Sequence, residues 1–160
     1  MQTFLPFASY VASARALDDR RLGKQRVETL QILNSLIDGG GWINHPAVKM
    51  WKGYEPSLAY YGLVVCTVWK KRGFNDTCFS KIKRKIHMPT FDLAAADKPP
   101  WIGYMPFHIS HQSNLIRKNP EFYAPKFKGI ADNLPYYWPS KSKLWTQNQK
   151  LNPTSGESET

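Results

Sequence analysis

Cysteine is scarce in this chain, long apolar runs are missing, and acids are outnumbered by bases. Cys66 and Cys78 are the only cysteines in 160 residues and no Cys-x-x-Cys pair occurs, which excludes a disulfide framework and suits thiols in a reducing cytosol. The longest apolar run, GLVVCTVW at residues 62–69, falls far short of a membrane span. The opening MQTFLPF has neither a basic region nor a long apolar stretch, so it does not read as a secretory signal. Phosphate loops and nucleophile elbows are missing too. The expectation is a cytoplasmic protein without a membrane segment. With no internal repeat and no convincing alternating strand pattern, the fold class expected is all-α.

What is present is positive charge and aromatic rings. Lys and Arg number 22 against 12 Asp and Glu, a formal charge of +10, and 14% of the chain is aromatic, with six Trp and eight Tyr. Cations neutralise phosphates and rings stack on bases, so this mixture favours a nucleic-acid partner. At 160 residues with 42% apolar side chains, one domain with a real core is expected.

Three segments read as helices, joined by long irregular loops rich in Pro and Gly. The first runs from Asp18, a capping residue, to the DGGG stop at 38–41, with Leu22, Leu30, Leu33, Leu36 and Ile37 as its buried stripe. The second covers 55–73: Pro56 suits the first turn, Lys70, Lys71 and Arg72 suit the negative end of the dipole, and Gly73 suits the stop. Being apolar around most of its circumference, it is expected at the centre. The third is PFHISHQSNLIRKN at 106–119, ended by Pro120. Residues 1–140 are read as one compact helical domain, and 141–160, polar and without periodicity, as a flexible tail.

At 100° per residue, Arg20, Arg21, Lys24, Glu28, Gln31 and Ser35 lie opposite the first helix's apolar stripe, with Gln25 at one margin. Glu28 thus sits inside a cationic face. One reading is a Lys24–Glu28 surface pair of a few tenths of a kcal/mol. The other is a catalytic acid held where a phosphate backbone docks. Lys81, Lys83, Arg84 and Lys85, interleaved with Ile82 and Ile86 in KIKRKIHMP, are expected to form a phosphate-contacting loop or a solvated charge run. His108 and His111, three apart, could share a metal, but two ligands without a third make a weak site. The six aromatics between Phe122 and Trp138 could stack on bases, though more are expected to cover the helices.

Taken in order, these pieces resemble the pyrimidine-dimer DNA glycosylases of the small phage and algal-virus endonuclease V type. Leu17, Asp19 and Leu22 match an L-x-D-x-x-L pattern with the family's catalytic glutamate six residues on, at Glu28; Lys71 to Asn75 match a Lys-Arg-Gly-Phe-Asn signature; and SHQSNLIRKNPEFYAPKF resembles the third helix and the aromatic cluster behind it. The similarity runs over roughly residues 1–128. It implies a monomer without metal or cofactor that acts on double-stranded DNA carrying damaged or modified pyrimidines. It implies a nucleophilic chain-terminal α-amine, assisted by Glu28, and a Schiff base that leads to strand cleavage. DNA contacts are expected from Arg20, Arg21, Lys24, Gln25, Gln31, the 81–85 cluster, His108 and His111. Two departures stand out. Gln2 is too bulky for ready removal of Met1, which makes Met1 the expected nucleophile, and Val27 stands where a further base is expected. The rival readings are a non-catalytic nucleic-acid-binding module on the same fold and, third, a metal-dependent nuclease.

Overall fold

The computed structural model describes residues 1–139, which form eight helices and, among the described residues, no strand. They are α1 (Tyr10–Ala16), α2 (Asp19–Asp38), α3 (Pro46–Lys49), α4 (Glu55–Lys71), α5 (Cys78–Ile86), α6 (Thr90–Ala95), α7 (Met105–Lys118) and α8 (Pro120–Tyr123). The expected tail from 141 lies outside the described residues.

Helix α4 is the axis of the fold and packs against α1, α2, α5 and α6. Ten of its residues are buried, from Ser57 to Val68, as its all-round apolar composition requires. Gly62 fixes how close its neighbours come. A Cβ there would lie 2.7 Å from Thr29 Cγ2 of α2 and 2.8 Å from Ile82 Cδ1 of α5, so both helices rest directly on the α4 backbone. Trp51, Tyr61, Phe107 and Tyr123 fill the core, with Trp51 edge-on to Trp101 at 4.9 Å.

The stripe expected on α2 needs correction. Leu22, Ile32 and Leu33 are buried, but Leu30 and Leu36 are half-buried and Ile37 in the last turn is exposed. Gln25, Thr29 and Ser35 are buried instead. The buried face is rotated toward polar positions because the chain's first residues and α4 both press on it. Asp18 takes the N-cap position without capping. Its carboxylate is held by Arg21 at 3.2 Å and by the Tyr123 hydroxyl.

The segment 81–89, expected as a loop, is helical as far as Ile86. Asp76 accepts the amide hydrogens of Cys78 (3.1 Å) and Phe79 (2.9 Å), which starts the helix. Cys78 and Ile82 are buried, with Phe79 and Ile86 packed half-buried beside them, and these hold a helix whose outer face is charged. The Lys71–Asn75 signature ties these elements together. Arg72 reaches Asp19 (2.9 Å) and the Arg15 carbonyl (3.1 Å), Phe74 stacks on Trp69 at 4.2 Å, and Trp69 Nε1 donates to the Asn75 carbonyl. Asp76 next in line also pairs with Arg26 at 2.6 Å, while Arg26 lies over the Trp69 ring.

Candidate active site

The site begins with a non-helical segment that, among the described residues, pairs with no strand. Residues 2–6 are buried but belong to no helix, so their backbone groups need side-chain partners. Gln25 supplies two, accepting the Phe4 amide (2.6 Å) and donating to the Gln2 carbonyl (2.7 Å). Tyr61 donates to the Phe4 carbonyl at 2.6 Å, Gln112 to the Pro6 carbonyl at 2.8 Å, and Trp51 to the Thr3 hydroxyl at 3.0 Å. The amide of Leu5 donates to His111 Nδ1 at 2.9 Å, and its carbonyl lies 2.8 Å from His108 Nδ1. Within the buried polar tract of α7, His108, His111 and Gln112 serve this segment, while Ser110, Ser113 and Asn114 hold the backbone of Leu134 and Tyr137.

These bonds fix both imidazoles. His111 accepts at Nδ1, so its proton is on Nε2. His108 accepts the Gly103 amide at Nε2 (2.8 Å), so its Nδ1 proton goes to Leu5. Burial holds both below the ordinary histidine range, and His111, next to His108, is driven down to about 3. Neither imidazole faces solvent, which corrects their expected place among the DNA contacts. Gln25, 1% exposed, is corrected in the same way. All three are clamps on the chain's first residues.

The clamped segment delivers its beginning to Glu28. The Gln2 amide donates to Glu28 Oε2 at 3.2 Å, and Oε1 faces Lys24 Nζ at 3.7 Å. The expected Lys24–Glu28 pair therefore forms, but its partners differ. The Lys24 side chain is 74% exposed and that of Glu28 only 13%, so the pair contributes little stability while the carboxylate is sheltered. Around them opens a cleft of ≈ 350 Å³. Arg20, Arg21, Lys24 and Lys118 give it four cations against the one carboxylate, and Met1, Gln2, Phe4 and Tyr136 complete the wall. Arg21 is braced by Asp18, whereas Arg20 and Lys24 are exposed. Burial lifts the Tyr136 phenol to about 12, so it stays a neutral hydroxyl at physiological pH.

Of the other expected contacts, Gln31 is exposed one turn beyond Glu28 and outside the cleft lining. The basic cluster divides. Lys83 is turned inward to the Met88 carbonyl (2.7 Å) and Thr90 (3.2 Å), Lys85 is paired with Asp38, and Lys81 and Arg84 are exposed. None of the four lines the cleft. No group of three or more potential metal ligands occurs among the described residues. Lys118 and Tyr136 were not singled out by sequence. Each is brought to Glu28 only by tertiary packing, although Lys118 belongs to a basic pair at the end of the third helix and Tyr136 to LPYYWP.

The class this defines is an all-helical protein with a cationic cleft around one sheltered carboxylate. The model of the pyrimidine dimer DNA glycosylase family matches residues 1–82, and the chain belongs to that family of DNA-repair glycosylases. The match takes in Glu28 and the Lys71–Asn75 signature and stops inside α5. Searches of curated proteins and of solved structures give no match. No helix among the described residues is long and apolar enough to cross a membrane.

Proposed function

We propose that this protein is a DNA glycosylase with associated lyase activity, which excises a damaged or modified pyrimidine through a Schiff base on its terminal α-amine. The observation that carries the reading is the Gln2–Glu28 hydrogen bond, which brings the first residues of the chain against a carboxylate inside a cationic cleft. The substrate is double-stranded DNA, with cyclobutane dimers one candidate lesion, and the protein acts as a cytoplasmic monomer without metal or cofactor.

In this mechanism a neutral α-amine attacks C1′ of the extruded nucleotide. The N–C1′ bond forms as the bond from C1′ to the base breaks, and the base leaves with the electron pair and takes a proton from solvent. Alpha-amines titrate near 8, so a useful neutral fraction exists at pH 7. Glu28 carries the proton lost by the amine to the sugar ring oxygen, which opens the ring to the iminium. Ionised again, it removes a C2′ proton, and the 3′ phosphate departs with the electron pair of the C3′–O bond. Water then releases the amine. Arg20, Lys24 and Lys118 hold phosphates, and Arg21 is oriented by Asp18.

Met1 supplies the amine if it is retained. If it is removed, the nitrogen of Gln2 becomes the α-amine, and that atom already lies 3.2 Å from Glu28 Oε2. The test is borohydride trapping on duplexes bearing defined lesions, with mass analysis of the linked peptide. A covalent adduct at the first residue supports the reading. An adduct on Lys24 moves the chemistry to a side chain, and DNA binding without any adduct leaves a non-catalytic binding module.

A further inference from the structure

The turn that follows α2 presents its largest apolar side chains to solvent. Trp42 is 55% and Ile43 47% exposed, and Trp42 is the only exposed tryptophan among the described residues. The arm that carries them is three glycines long. Gly39 and Gly40 have φ of 80° and 126°, which side-chain-bearing residues rarely adopt, and a Cβ on any of the three would meet nothing within 4 Å. At Gly39 and Gly40 the requirement is thus backbone conformation rather than space. The base of the tip is firm: the Ile43 amide donates to the Gly40 carbonyl (3.3 Å), His45 to the Trp42 carbonyl (2.9 Å), and Pro46 opens α3.

The tip is joined to the cleft by a row of rings. Tyr136, in the cleft wall, lies 5.6 Å from Trp138; Trp138 lies 6.2 Å from His45; His45 lies 6.1 Å from Trp42. Three steps of roughly 6 Å put the tip within about six base-pair steps of the cleft, at ~3.4 Å per step along a duplex. An apolar tip on a glycine arm, linked by rings to a cationic cleft, has the character of an intercalating side chain. Such side chains enter the stack, kink the duplex and restore the stacking that a departing nucleotide takes away.

We propose that Trp42 and Ile43 form a wedge that enters the base stack of duplex DNA within about six base-pair steps of the nucleotide held in the Glu28 cleft and kinks the duplex there. The proposal rests on the glycosylase reading for the nucleotide in the cleft, and on the tip alone for the wedge. The partner is duplex DNA because the ring row ends in the cationic cleft and the chain carries a formal charge of +10.

The experiment uses the full chain, a duplex with a tetrahydrofuran abasic analogue, and 2-aminopurine at each position within about six steps of it in turn. The wild type is expected to raise the fluorescence severalfold at one of these positions, Trp42→Phe to keep that rise, and the double variant Trp42→Ala/Ile43→Ala to lose it while still binding. On natural abasic sites, the ratio of borohydride trapping in duplex to that in single strand is expected to fall by about tenfold in the double variant, because only the duplex must be opened. A bound wild type that gives no rise at any position overturns the wedge. So does a double variant that gives the wild-type rise, which would leave the tip to a protein or lipid partner. A wild type that raises fluorescence yet is never trapped supports the wedge and removes the glycosylase reading. Failure to bind the duplex removes both.

Discussion

Glu28 and Gln2 are joined through carboxylate and amide at 3.2 Å across 26 residues of sequence, where the buried opening segment meets the cationic cleft. Glu28→Gln keeps an acceptor oxygen for that amide and nearly the same shape. The expected result is an unchanged fold, near-normal DNA affinity, and a loss of at least about a hundredfold in base release, the usual range for removing a proton-transferring group. Single-turnover kinetics on a lesion duplex measure it. Full activity removes Glu28 from the chemistry.

Gln25→Ala deletes the partner of the Phe4 amide and the Gln2 carbonyl in one step. Each buried polar group left unpaired costs about 1–3 kcal/mol. Urea unfolding is expected to show a loss of that order or more. Borohydride trapping is expected to fall further than DNA affinity does, because the terminal amine loses its fixed place while the basic residues keep theirs.

Acid is expected to loosen the same segment. The His111 imidazole is held neutral in the fold, down to about 3, whereas unfolded histidine titrates near 6.5. Between these values the unfolded chain binds a proton that the folded one refuses. Stability contributed here is therefore complete above about pH 6.5 and is lost progressively toward pH 3, on the order of a few kcal/mol in all. Protonation at Nδ1 also removes the acceptor for Leu5. Thermal unfolding between pH 4 and 7 checks the slope, and His111→Gln is expected to flatten it.

Salt dependence separates the two groups of bases. Replacing Arg20, Lys24 and Lys118 by Gln is expected to lower the slope of log affinity against log salt by about 0.9 for each phosphate no longer neutralised. Replacing Lys83 and Lys85, already engaged with Met88, Thr90 and Asp38, is expected to change it little. Filter binding over a range of salt concentrations distinguishes the outcomes.

Gly62→Ala tests the packing of the fold. Its methyl would lie under 3 Å from Thr29 Cγ2 and Ile82 Cδ1, so these side chains must give way or their helices move outward. Overpacking of this kind costs about 1–3 kcal/mol. Because Thr29 neighbours Glu28 in α2, activity is expected to fall along with the denaturation midpoint.

The sequence made α4 legible because Pro56, the run of apolar residues and Gly73 all agree on one helix. Glu28 was legible because a lone acid in a cationic face stands out. Gln25, His108 and His111 were misplaced for a physical reason. Helical periodicity tells which side of a helix a residue occupies, but not what covers that side. Here the cover is a stretch without periodicity, whose backbone, lacking a strand partner, requires buried polar side chains. Helix α5 was hidden by a related effect, since two buried residues, Cys78 and Ile82, and the Asp76 carboxylate hold it under four charges. Lys118 and Tyr136 reach the cleft only through long-range packing, which local patterns do not encode.

The clamped opening segment also sets an order of events during synthesis. Residues 2–6 are made long before their partners: the acceptor for Leu5 follows 106 residues later, in a helix that must itself be made before the segment can dock. Until α7 is in place, the backbone of residues 2–6 lacks its partners His108, His111 and Gln112. Once α7 docks, the same start is sequestered beside Glu28. The site beside Glu28 is thus completed late, by a helix far along the chain, although its first contributor is made early.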